Sequence, residues 1–226
     1  DSTISVEKGS LTADGIAITG QIGNKIRYNG GLYLTGLPHV TVTLTNCTLT
    51  GAKSTQDAVE FGSMQSGIDV KVDNCKSEKG VDVSQCNNEN VTVTNSTITS
   101  YKQTMGENGT TVFTGNKVSG SVVIAADEMI VKDDEIQGGL TFSGNGDVVV
   151  EDVTASATSS RGAALTSSGS GKVTIKSGVY TATGKNAYAI NANGYAVTIE
   201  GGYFKGTKGT VNSQAYTIPT GKTLGD

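Results

Sequence analysis

Apolar and polar positions alternate in short stretches along this chain. In Val91-Thr92-Val93-Thr94-Asn95-Ser96-Thr97-Ile98-Thr99 the valines alternate with threonine, so a strand presents both to one side. Asn95 follows where the alternation breaks, and asparagine tolerates the left-handed conformation of a tight turn. Ile98 then returns an apolar side chain to the same interior. Nine copies of this phrase begin at Ile4, Val42, Val70, Val91, Thr111, Met129, Val148, Val173 and Val197. Their fifth residues are Lys8, Asn46, Asn74, Asn95, Gly115, Asp133, Asp152, Ser177 and Gly201. All but Lys8 are turn formers.

Successive copies start 18 to 38 residues apart, which marks a solenoid with loops of variable length between constant strands. The widest gap has room for a divergent copy at Ile26-Arg27-Tyr28 or Leu32-Tyr33-Leu34. Second short strands are predicted between copies at Gly15–Ile18, Val59–Phe61, Val81–Val83, Val122–Ile124, Leu140–Phe142, Ala164–Leu165 and Tyr188–Ile190. No stretch has the 3.6-residue apolar period of a packed helix. Strands this short satisfy their amides only by pairing with the coils above and below. The fold class is therefore all-β, a single-domain parallel β-helix of roughly ten coils, on the order of 45 Å long at about 4.8 Å per coil. A leucine-rich horseshoe lacks support in the repeat spacing, and an antiparallel sandwich does not generate a fixed nine-residue phrase.

The chain has 226 residues, 31 of them glycine, with 17% charged residues and a net charge of −4. This reads as one domain, residues 1–226, of a larger extracellular protein, with Tyr216–Gly221 opening a further strand. Only two arginines occur, Arg27 and Arg161, and no basic stripe exists to neutralise phosphates, which argues against nucleic acid. No apolar run is long enough to span a membrane. A monomer is expected.

Cys47 and Cys75 follow the turn asparagine in consecutive copies, so stacking sets their Cα atoms about 4.8 Å apart. That separation permits a disulfide and equally two stacked thiols, while Cys86 competes for Cys75. Three cysteines and one histidine are too few and too unevenly spaced for zinc. A serine–histidine–aspartate set would run through His39, the sole histidine, which otherwise reads as loop surface. Asp127, Glu128, Asp133, Asp134 and Glu135 precede Asp147, Glu151 and Asp152 in the next copy. Stacking aligns Asp133 with Asp152 and gathers oxygen ligands of the kind calcium takes; in the simpler account both aspartates just fill the turn column. Asn46, Asn90, Asn95 and Asn108 open Asn-x-Ser/Thr triplets, with Asn46 and Asn95 expected to face inward. Tyr188, Tyr195, Tyr203 and Tyr216 are the candidate binding residues, because rings stacked along a solenoid make a platform for sugars or a partner surface. Tyrosine is also an ordinary strand residue.

The phrases Tyr188–Phe204 and Val173–Tyr180 resemble repeats in right-handed β-helix segments of large bacterial surface proteins, especially adhesin-like proteins of Gram-positive gut and mucosal bacteria. The Asn46, Asn74, Asn95 column resembles the asparagine stacks of the pectate-lyase-like superfamily. The resemblance is one of repeat style. It implies display at the cell surface as a non-enzymatic adhesion module, a stalk or a binding surface for host glycans or proteins. In some such proteins side chains are covalently cross-linked. The superfamily alternative is a polysaccharide lyase or glycoside hydrolase, which needs a base beside calcium-binding carboxylates or two carboxylates across a groove; no catalytic set is evident. An ice-binding solenoid would need a regular threonine face, and Lys71, Val112, Ile130 and Val149 interrupt the column of Thr43, Thr92, Thr174 and Thr198.

Overall fold

The computed structural model describes residues 4–6, 8–23, 39–50, 57–61, 67–84, 89–104, 109–193, 196–212 and 216–217. The stretches around Arg27, Leu32–Leu34, Cys86, Asn108 and Tyr195 lie outside these residues. The described strands form three sheets of ten, ten and nine strands, all paired in parallel. We call sheet I the one that begins with Gly9–Asp14, sheet II the one that begins with Ala17–Thr19, and sheet III the one that begins with Ile4–Ser5. One coil runs Glu89–Thr94 in sheet I, Thr97–Ile98 in sheet II and Tyr101–Lys102 in sheet III. It then returns to sheet I as Thr110–Thr114, in register on the strand it left. This is a right-handed parallel β-helix.

Eight of the nine predicted copies share one register column of sheet I: Val42, Val70, Val91, Thr111, Met129, Val148, Val173 and Val197. The ninth is a correction. Ile4 pairs with Ile22 in sheet III, and the sheet I column begins at Leu11. Ile4-Ser5-Val6 has the same alternation as the phrase, which carries no mark of which sheet it enters. With the frame moved to Leu11, Gly15 becomes the turn residue at φ 64°, and Lys8 leaves the turn column. The predicted strand at Gly15–Ile18 shifts accordingly, since Ala17–Thr19 is the sheet II strand of that coil. The other intermediate strands all fall in sheet III.

Three sets of inward side chains meet in the core. Sheet I contributes the valine column and a second one including Leu44, Val72, Val93, Phe113 and Val131, all fully buried. Sheet III adds Ile22, Val59, Val81, Leu140 and Leu165, each worth about 1.5–3 kcal/mol when removed from water. Tyr101 tilts against Phe113 at 5.2 Å, and Tyr180 stacks on Phe204 at 5.1 Å with an interplanar angle of 7°.

Between sheets I and II the chain turns on one left-handed residue. Gly15, Asn46, Asn74, Asn95, Gly115, Asp133 and Asp152 have φ between 51° and 71°, a region where a Cβ crowds the carbonyl unless the residue is glycine or a short polar one. In the next two coils Ser177 and Gly201 do not take the positive φ; Gly178 and Gly202 do, at 117° and 123°. Between sheets II and III adjacent coils approach so closely that a Cβ on Gly138 would stand 2.2 Å from the carbonyl carbon of Gly120.

Asn95 at φ 51° gives a direct test of the corner. Asn95→Gly is expected to change stability by only a few tenths of a kcal/mol, whereas Asn95→Val costs about 1–2 kcal/mol. Urea unfolding midpoints of the two variants measure the difference.

Candidate functional site

In a parallel ladder, successive amides point to opposite neighbours. The left-handed corner residue breaks this alternation. Asn95 and Ser96 both donate to the following coil: Asn95 N–H to the Thr114 carbonyl at 2.9 Å, and Ser96 N–H to Asn116 Oδ1 at 3.0 Å. The second amide therefore depends on a side chain. Cys47 N–H meets Cys75 Sγ at 3.4 Å, Cys75 N–H meets Ser96 Oγ at 3.0 Å, and Asn116 N–H meets Asp134 Oδ1 at 2.7 Å. Cys47, Cys75, Ser96, Asn116 and Asp134 form a buried polar column. Asn46, Asn74 and Asn95 are exposed, which corrects the expectation that Asn46 and Asn95 face inward. Their amides form an outer ladder, with Asn74 Nδ2 donating to Asn46 Oδ1 at 2.6 Å and Asn46 Nδ2 to Asp14 Oδ1 at 2.8 Å. Of the two states that stacking permits for Cys47 and Cys75, the structure holds the free thiols.

Asp134 ends the polar column. Its Oδ1 accepts from both the backbone and the side-chain amide of Asn116, while Oδ2 has no hydrogen-bond partner among the described residues. Burial pushes this carboxyl up to about 8, against the opposing pull of the Asn116 hydrogen bonds. Asp133 and Asp152 do stack in the turn column, but both are exposed, and Asp152 Oδ1 accepts from Ser177 Oγ at 2.7 Å. Among the described residues no group of three or more acidic, histidine or cysteine side chains is arranged to hold a metal ion.

The three candidate tyrosines among the described residues fall in three different sheets. Tyr188 lies in sheet III, the exposed Tyr203 in sheet II, and Tyr216 enters sheet I in register with Val197. Tyr195 lies outside the described residues. The structure instead places Tyr188 in a groove of about 450 Å³ where sheet II turns into sheet III, lined also by Arg161, Asn186, Asn191, Lys208 and Asn212. Tyr188 pairs with Gly209 in the following coil, where a Cβ would stand 3.2 Å from the ring. Ala163 also lines the groove, so small residues leave the hollow open around the ring. Lys208 Nζ sits 5.2 Å from the ring centroid, a cation–π distance. Asn212 Nδ2 donates to Asn191 Oδ1 at 3.0 Å. Arg161 and Asn186 take the left-handed conformation at φ 64° and 62°.

Two other polar groups stand apart from this groove. His39 Nε2 is 2.7 Å from Asp69 Oδ2, and Asn90 Nδ2 donates to Asp69 Oδ1 at 2.9 Å. On sheet III, Glu60 and Asp82 are register partners, followed by Lys102, whose Nζ is 3.5 Å from Asp82 Oδ2. Asp57 lies nearby, its carboxyl raised by burial and by the Asp82 and Glu60 charges. The outward threonines Thr43, Thr92, Thr174 and Thr198 do share a column, interrupted by Lys71, Val112, Ile130 and Val149.

Comparisons with family models, with curated proteins and with solved structures give no match. Lys208, Asn191 and Asn212 were not singled out by sequence reasoning, because nothing in an isolated lysine or asparagine shows which residues of adjoining coils stand beside it. The polar column did carry a signal: the sixth position of the phrase reads Cys47, Cys75, Ser96, Asn116, Asp134.

Asp134 makes stability depend on pH with a definite sign. Its folded value of about 8 lies above the ordinary 3.8, so the folded state binds the extra proton between those limits. The contribution is complete below about pH 4 and is lost as pH rises through about 8, at roughly 1.4 kcal/mol per pH unit. Asp134→Asn keeps the acceptor for Asn116 and carries no charge. Thermal melts from pH 4 to 9 should show a flatter profile for the variant and a higher midpoint than wild type at pH 8 to 9.

Proposed function

We infer that this chain is a non-enzymatic binding module of the cell exterior, a rigid β-helical rod with a carbohydrate-binding groove on one flank. The groove around Tyr188 carries this reading. Its volume of about 450 Å³ falls within the range of small-ligand sites. Its lining of amides, cations and one aromatic ring suits hydroxyl-rich ligands better than an apolar one. The rod supports display, because every described strand between the first and last of each sheet is held on both sides by parallel neighbours, as a stalk or presenting surface requires. Sparse charge and the repeat style of bacterial surface proteins support an extracellular, cell-surface location, with a host glycan as partner. No helix among the described residues is long and apolar enough to cross a membrane.

A second reading, a polysaccharide lyase or glycoside hydrolase, is favoured by one observation. Glu60, Asp82 and Lys102 line up on sheet III with Asp57 just before the first of these strands, and the Asp57 carboxyl is raised by burial and by its acidic neighbours. General acid–base chemistry uses such a carboxyl beside others that stay ionised. Catalysed chain cleavage that disappears in Asp57→Asn would establish this reading.

The binding reading predicts saturable titration against at least one class in a panel of neutral and acidic oligosaccharides, with no products formed. Tyr188→Ala should weaken that binding about tenfold, or about 1.4 kcal/mol. A flat titration across the whole panel would overturn it.

A further inference from the structure

We propose that the groove beside Tyr188 selects an acidic sugar, holding the anionic group of a glycan between Arg161 and Lys208. This inference rests on the binding-groove reading and specifies its ligand class. The chain carries a net charge of −4 and two arginines. Nevertheless, one of those arginines and a lysine line the same groove, with no carboxylate among its described lining residues. Among the described residues neither cation is ion-paired, whereas Lys71, Lys102, Lys132 and Lys176 are. Two unneutralised cations in a hollow favour a ligand of opposite sign.

The placement of each cation has a structural cause that is independent of its charge. Arg161 occupies the left-handed conformation at φ 64°, which disfavours a long side chain and favours glycine or asparagine. The corresponding corner one coil later uses Asn186 at φ 62°. The turn therefore does not select arginine, and a guanidinium that matches carboxylate or sulfate oxygens in a fork does account for it. Lys208 is fixed at two points: its N–H donates to the Ala187 carbonyl at 2.8 Å, and its ammonium rests over the Tyr188 ring. One face of the tyrosine thus seats a cation rather than a sugar ring. The Asn212–Asn191 amide pair lines the same hollow, and its remaining amide groups suit sugar hydroxyls.

The test is isothermal titration of the whole chain with matched oligosaccharides: a uronic acid oligomer, its carboxyl-reduced neutral form, and a sulfated oligomer of the same length. At least one acidic form should bind tenfold or more tightly than the neutral one, and the advantage should shrink as salt rises from 50 to 500 mM (about 14 to 4 Å of screening length). Whether the carboxylate or the sulfate binds better identifies the group. Arg161→Asn retains the left-handed preference and removes the charge. It should abolish the acidic preference while leaving the thermal midpoint unchanged or higher. Equal affinity for neutral and acidic forms overturns the acidic selection and leaves the binding groove standing. Binding of none of them overturns both. A preference that survives Arg161→Asn removes the assigned role of Arg161.

Discussion

Every coil of this protein must change direction without leaving an amide unpaired. At the corner between sheets I and II the left-handed residue lets the chain bend, but it also aims two consecutive N–H groups at the same neighbouring coil. One carbonyl is available there. The second amide, buried and away from water, would cost about 1–3 kcal/mol if left unsatisfied. A side-chain acceptor on the next coil removes that cost, which is why Ser96, Asn116 and Asp134 stand inside an otherwise apolar core. The conformational choice at one position thus dictates the chemistry of the next position one coil away.

The same logic explains where the polar column stops. After Asp134 the corresponding residue is Val153, fully buried, and the corner hydrogen bonds change. Asp152 N–H now donates to Ser177 Oγ at 2.8 Å, and the positive φ passes to Gly178 in the following coil. The corner has two solutions, one with an inward acceptor and one with an acceptor in the turn column itself. Asp134 sits at the junction, with one oxygen that no described residue hydrogen-bonds, and burial there raises its proton affinity.

The apolar columns were legible in the sequence because a two-residue alternation ending at a turn former has one structural meaning when repeated. Val42, Val70, Val91 and Val173 fall in line for that reason. Ile4 misled because alternation alone does not name the sheet, and only the turn residue, Gly15 rather than Lys8, fixes the frame. Strand parity alone would put Asn46 and Asn95 inside, but the left-handed residue shifts it by one and both are exposed. The groove was legible only at Tyr188. Its partners Arg161, Lys208 and Asn212 lie between 20 and 27 residues away in either direction, and they meet Tyr188 through coil spacings of 25 and 21 residues that differ between neighbours. Loop length sets that spacing, and no local pattern encodes it.

A solenoid separates what holds it together from what it can present. The polar column occupies residues 47–134 and the groove residues 161–212, and each coil contacts mainly its immediate neighbours. Substitutions in the two regions share no partners, so their energetic effects are expected to add. In the coil that carries Arg161, the corner between sheets II and III has no such doubled amide, since Gly162 N–H turns back to the Ser159 carbonyl at 3.0 Å. Arg161 N–H simply donates to the Lys185 carbonyl at 3.0 Å. That corner is free to carry a residue chosen for something other than the stack, and a strained arginine is what it carries. In this architecture the informative positions for function are the turn residues that turn chemistry alone would not select.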